Sequence, residues 1–132
     1  MVGIEDLLGS AINRWNAGDL DGYLDLYDDR IKLYGYSAEP MEKAAVVNHY
    51  RTVWAALAAA GSANPHLDIK DVLSNGDRLA CRFVLSGVHQ GTFMGVPPTG
   101  RPYQCHGITI MRFLGPRVVE RWSMTDAVKQ FT

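Results

Sequence analysis

The chain has 132 residues, 47% hydrophobic and 20% charged, with 13 Lys+Arg against 14 Asp+Glu for a formal net charge of −1. That describes one globular domain with room for a real core. Near-neutrality excludes the basic face of a general nucleic-acid binder and electrostatic attachment to an anionic membrane.

Ile4, Leu7, Leu8, Ala11, Ile12 and Trp15 recur at the spacing of one helical stripe. Gly18 is a helix stop and Asp19 a cap for a second helix, in which Leu20, Tyr23, Leu24 and Tyr27 repeat the pattern. The acids Asp21, Asp25, Asp28 and Asp29 fall mostly off that stripe and read as a solvated face. A short strand is expected over Ile31–Tyr36, then a turn. Pro40 suits the first turn of a long third helix with Val46, Val47, Tyr50, Val53, Trp54, Leu57 and Ala58 on one face. After Pro65 the period changes to 2. Asn75-Gly76 marks a hairpin, and Leu79, Cys81, Phe83 and Leu85 share one strand face. A Gly/Pro-rich loop over Gly91–Arg101 precedes strands at about Pro102–Phe113 and Arg117–Asp126. The order predicts an α+β domain: three N-terminal helices on a strongly curved antiparallel sheet, forming a cone with an internal pocket.

Little conventional chemistry is visible. Cys81 and Cys105 have no CxxC spacing, which excludes a disulfide framework or cysteine-rich zinc site and fits a reducing, cytoplasmic setting. No apolar run approaches the ~18–20 residues of a membrane span, and MVGIEDLLGS carries acids where a signal peptide wants a basic flank. His49, His66, His89 and His106 lack metal-ligand spacing, and there is no nucleophile elbow, phosphate loop or dinucleotide fingerprint. Cofactor-free chemistry or pure binding is left. Trp15, Tyr23, Tyr27, Tyr50, Trp54 and Trp122 fall on predicted inward positions, as core or as the walls of a cavity whose polar tips want partners. On the last strand Val118, Glu120, Trp122, Met124 and Asp126 share one face. A carboxylate beside Trp122 and Met124 would be partly desolvated and usable as an acid or base. The plainer reading of Glu120 is an ion pair with Arg112 or Arg121. Asp126 reads as a proton carrier or a strand-end cap, and His106 as a second proton carrier or a hydrogen-bonded rim histidine.

The string Gly87-Val88-His89-Gln90-Gly91-Thr92-Phe93-Met94-Gly95-Val96-Pro97-Pro98-Thr99-Gly100-Arg101 resembles the signature loop of the SnoaL-like polyketide cyclase family, within the nuclear transport factor 2-like superfamily. Gly107-Ile108, Met111-Arg112-Phe113, Val118-Val119-Glu120-Arg121-Trp122 and Asp126 continue the pattern, and Trp15-Asn16-Ala17-Gly18-Asp19 is similar to the family's first helix-turn. The resemblance implies a deep pocket between the long helix and the concave sheet. It implies ring closure of a polyketide ester by intramolecular aldol condensation, with an acidic residue as acid/base and no metal or cofactor. It also implies a homodimer paired through outer sheet faces. The chain has Thr109 where many members carry His or Asp, and Ser123 where they carry an acid. The expected site is therefore Asp126 assisted by His106 or His89, with Trp15, Tyr23, Tyr50, Trp54, Phe93, Thr109, Trp122 and Ser123 around a hydrophobic small molecule. Two other readings stay open: a non-catalytic binding or dimerisation module, and an epoxide-hydrolase or hydroxylase-like member.

Overall fold

The computed structural model describes residues 2–127. Helix α1 (Ile4–Asn16) buries Leu8, Ala11, Ile12 and Trp15, the stripe its spacing requires. It ends at Gly18, whose φ of 85° is left-handed and cheap only for glycine. The Asp19 carboxylate then accepts from Gly22 N at 2.9 Å and caps α2 (Leu20–Leu24).

α2 is shorter than its apolar spacing predicts, and Tyr27 already opens strand β1 (Tyr27–Tyr34). Asp28 explains the stop: its carboxylate accepts from Arg30 N at 2.9 Å, a local bond that competes with helix continuation. The register of β1 shifts at this point. The predicted third helix also starts later than Pro40. Met41 exchanges two backbone bonds with Leu33 (2.8 and 2.9 Å), so α3 runs Lys43–Leu57.

Strands β2 (His66–Asn75), β3 (Arg78–Val88), β4 (Pro102–Leu114) and β5 (Arg117–Thr125) complete a five-stranded sheet in the order β1-β5-β4-β3-β2. Three pairings are antiparallel, two of them joined by the tight turns at Gly76 and Gly115. The β1–β5 pairing is parallel, because the chain crosses the whole domain between these strands. The sheet curves without closing, and the helices cover its concave face. The expected α+β cone is therefore the fold.

Burial along β4 alternates strictly. Tyr103, Cys105, Gly107, Thr109, Met111 and Phe113 point inward, while Gln104, His106, Ile108 and Ile110 point out. Cross-strand partners share a face, so Thr109 opposite Ser123 lies inside, and Ile110 opposite Trp122 and Ile108 opposite Met124 lie outside. Gly107 has no side chain for a packing reason: a Cβ there would sit 2.3 Å from the Phe83 ring, which lies across it.

Candidate functional site

Helices α1–α3 and the concave sheet enclose a narrow cavity of about 60 Å³, room for a few water molecules. Its walls are apolar over most of their extent, with Trp15 and Phe93 among the aromatic groups. Polar groups gather at one end: Arg121, Tyr23, Tyr50, Tyr36, His49 and Thr109.

Arg121 organises that end. It is 4% exposed, yet it meets hydroxyl groups rather than a carboxylate. Nε donates to Thr109 Oγ1 at 2.8 Å, and Nη1 donates to Tyr27 Oη at 2.7 Å and to Tyr50 Oη. The Thr109 hydroxyl in turn donates to the Trp122 carbonyl at 2.9 Å, which fixes which lone pair faces the guanidinium. The Tyr23 and Tyr27 hydroxyls share a 2.6 Å bond, and Tyr27 lies 3.5 Å from Tyr50. Burial opposes the Arg121 cation. The phenol oxygens of Tyr27, Tyr50, Tyr36 and Tyr23 outweigh it and hold the pKa above the usual guanidinium value. The same burial raises the pKa of Tyr23 and Tyr50, and pushes Tyr36 up to about 12.

His49 packs against this cluster, its ring 4.6 Å from Tyr36 and 5.0 Å from Tyr50 between centroids. Burial, and then the positive charge of Arg121, lower its pKa to about 4. At neutral pH it is therefore an uncharged imidazole.

The structure separates the residues expected to act together. Trp15, Tyr23, Tyr50, Phe93 and Thr109 line the cavity as expected. Trp54 packs behind Trp15 with ring centroids 5.3 Å apart, and is not a wall of the cavity. His89 is 1% exposed beneath the 91–101 loop, where its Nδ1 lies 3.1 Å from Thr99 Oγ1. Its backbone exchanges bonds with Arg101 and Gly100, so it anchors the loop rather than reaching the cavity. Ser123 points inward but bonds Tyr36 Oη at 3.0 Å, behind the cavity wall.

Asp126 and His106 do meet, on the outer face of the sheet. Asp126 accepts from His106 N at 2.7 Å and lies 3.1 Å from its Nδ1. Both line a shallow outer groove with Ile108, Ile110, Trp122 and Met124. Burial raises the Asp126 pKa, but the bonds from His106 outweigh this and leave it below the usual carboxylate range. The pair clips the end of β5 to β4, outside the cavity. Trp122 is likewise on the outer face, stacked on Tyr34 at 5.8 Å, because β5 presents its alternate set of residues inward. Glu120 pairs with Arg112 at 2.5 Å, as its plainer reading predicts.

Arg121, Tyr36 and His49 are the groups the sequence does not place at the site, whereas Tyr27, expected inward, is there as a partner of Arg121. The signal for Arg121 is its place on the same strand face as Ser123 and Thr125, opposite Trp122 and Met124. Among the described residues no three His, Cys, Asp or Glu side chains group to hold a metal ion. Both cysteines are buried thiols, Cys105 pushed up to about 11 by burial first of all.

Comparison with known proteins agrees with this architecture. A family model described as SnoaL-like polyketide cyclase matches residues 5–132. AclR from Streptomyces galilaeus, described as a hydroxylase candidate, superposes with a TM-score of 0.79 at 28% identity over 93% of this chain and 78% of its own. IdmH from Streptomyces antibioticus, a polyketide cyclase candidate, superposes with a TM-score of 0.79 at 24% identity, covering 98% of this chain and 96% of its own. A SnoaL-like polyketide cyclase from Agrobacterium tumefaciens gives 0.79 at 18% identity, with 99% and 98% covered. No curated protein matches the chain significantly.

Proposed function

Since the chain belongs to the SnoaL-like polyketide cyclase family, we propose that it is a cofactor-independent enzyme acting on a hydrophobic, carbonyl-rich small molecule in the interior cavity. The reaction class is an intramolecular aldol condensation or a related isomerisation. One observation carries this reading: an apolar cavity ends in a neutral imidazole facing a buried guanidinium and a phenol.

Enolisation needs a base for the carbon-bound proton and donors for the oxygen that becomes negative. His49 is the base. Arg121 and the Tyr50 hydroxyl are the donors, already oriented by Thr109 and Tyr27. The two roles reinforce each other. Negative charge developing on the substrate oxygen offsets the field of Arg121, so the imidazole becomes more basic as it takes the proton. In this reading Asp126 and His106 hold the fold, and proton transfer belongs to His49.

The cavity is too small for a polyketide-sized molecule as it stands. Phe93 and Met94, which close it, sit on the 91–101 loop, and the Met94-Gly95 turn has φ of 50° and 78°. A methionine in that region is strained by about 1–3 kcal/mol, which favours displacement of this corner on substrate entry.

The likeness to AclR favours a second reading, a hydroxylase-like member acting on a ligand in the same cavity. The protein works in the cytoplasm as a homodimer. Ile108, Ile110 and Met124 (59%, 43% and 81% exposed) form an apolar stripe on the outer sheet face that a second copy would cover.

The test is deuterium exchange at the C2 methylene of methyl 3-oxohexanoate in D2O, followed by proton NMR. The enzyme reading expects the protein to accelerate exchange at least about tenfold over the buffer-catalysed rate. Binding of the ester without acceleration would leave only a binding module.

A further inference from the structure

Arg121 is a full positive charge in the interior, and no carboxylate among the described residues meets it. The chain has two acids close in sequence or space, and it directs both elsewhere. Glu120 is next to Arg121 but points to the opposite face and pairs with Arg112 at 2.5 Å. Asp126 is engaged by His106 on the outside of the sheet. Among the described residues that line the cavity there is no Asp or Glu, and its one imidazole is neutral.

The hydroxyls of Thr109, Tyr27 and Tyr50 solvate the guanidinium without neutralising it. They occupy Nε and Nη1. Nη2 makes no hydrogen bond to any described residue, which leaves its two N–H donors uncommitted. A buried, hydroxyl-solvated cation is costly to maintain, and a structural purpose would be served better by an ion pair or an apolar side chain. A guanidinium with Nη2 left over at an apolar cavity can donate a charge-assisted hydrogen bond to an anionic oxygen.

We propose that the cavity takes its ligand as an organic anion, a carboxylate or a comparably acidic enol, with a charged oxygen on Arg121 Nη2 and an apolar body lying toward Trp15, Phe83 and Phe93. This deepens the enzymatic reading and rests on its assignment of the cavity as the ligand site. The anionic group fixes the molecule at the deep end, and the chain leading away from it passes His49. Preference for an anion is a property of binding and survives if no reaction occurs.

The experiment is calorimetric titration with benzoate and benzamide, which share shape and differ in charge. The wild-type protein is expected to bind benzoate at least about tenfold more tightly, the least that a charge-assisted bond in a dry site confers. Arg121→Met should bring the two affinities within about threefold, and Arg121→Lys should keep a preference for benzoate. If the methionine variant does not fold, the wild-type ratio decides alone. Equal affinities in wild type overturn the inference while leaving the cavity a ligand site. Binding of neither compound, with methylene exchange still accelerated, overturns the inference and leaves the catalytic reading standing. Preference for benzoate with no accelerated exchange supports the inference and removes the catalytic reading.

Discussion

Thr109→Val exchanges a hydroxyl for a methyl group of nearly the same volume at a site 1% exposed. Packing is conserved and two hydrogen bonds are lost. Arg121 Nε–H loses its 2.8 Å acceptor, and the Trp122 carbonyl loses its 2.9 Å donor. Stranding one N–H of a buried cation costs about 1.5–3 kcal/mol, and the carbonyl adds a fraction more, for about 2–4 kcal/mol in all. A chain of 132 residues has an unfolding entropy near 0.28 kcal/mol/K, so the melting temperature should fall by about 7–14 °C. Thr109→Ser keeps the hydroxyl and gives up one buried methyl, about 1 kcal/mol. Urea titrations of the three proteins, followed by tryptophan fluorescence, provide the comparison. A valine variant less destabilised than the serine variant would refute the central place given to the Arg121–Thr109 bond.

Two further outcomes follow from the same structure. The His49 pKa is about 4 in the folded protein against an ordinary value near 6.5, so the unfolded chain binds the proton first. Stability from this group is complete above about pH 6.5 and is lost as pH falls toward 4, by about 3 kcal/mol. His49→Asn should flatten the urea midpoint across that window, and an unchanged slope would show that the imidazole is not held neutral by its surroundings. On the outer face, Ile108→Lys places a charge in the apolar stripe; light scattering should find a dimer for wild type and a monomer for the variant. A wild-type monomer would remove the dimer proposal.

The helical stripe of α1, the two hairpin turns and the alternation of β3 and β4 are written in local spacing, and the cone follows from their order. The parallel pairing of β1 with β5 is not, because it depends on contacts between opposite ends of the chain. Tyr27 shows a second limit. Its spacing extends the helical stripe of Leu20, Tyr23 and Leu24, but the Asp28 carboxylate captures the Arg30 amide and turns the chain into a strand.

The sequence reading and the structure part at the parity of β5. Alternation divides Trp122 and Met124 from Arg121, Ser123 and Thr125 without saying which set faces inward, and hydrophobicity favours the first. The structure buries Arg121 and Ser123 of the second, since the outer sheet face is itself apolar and the interior supplies hydroxyls to a cation. That inversion carries Asp126 out of the cavity. It also draws attention to His49, held neutral by its burial first and then by a charge 72 residues away in sequence.

The most direct test of the account compares His49→Asn with Asp126→Asn in the methylene-exchange assay, with folding of both checked by circular dichroism. Catalysis from the cavity predicts that the Asp126 variant keeps its rate within about twofold, while the His49 variant loses about a hundredfold, the usual contribution of a positioned base. The reverse pattern, with exchange abolished by Asp126→Asn and untouched by His49→Asn, would place the chemistry on the outer face and contradict the account.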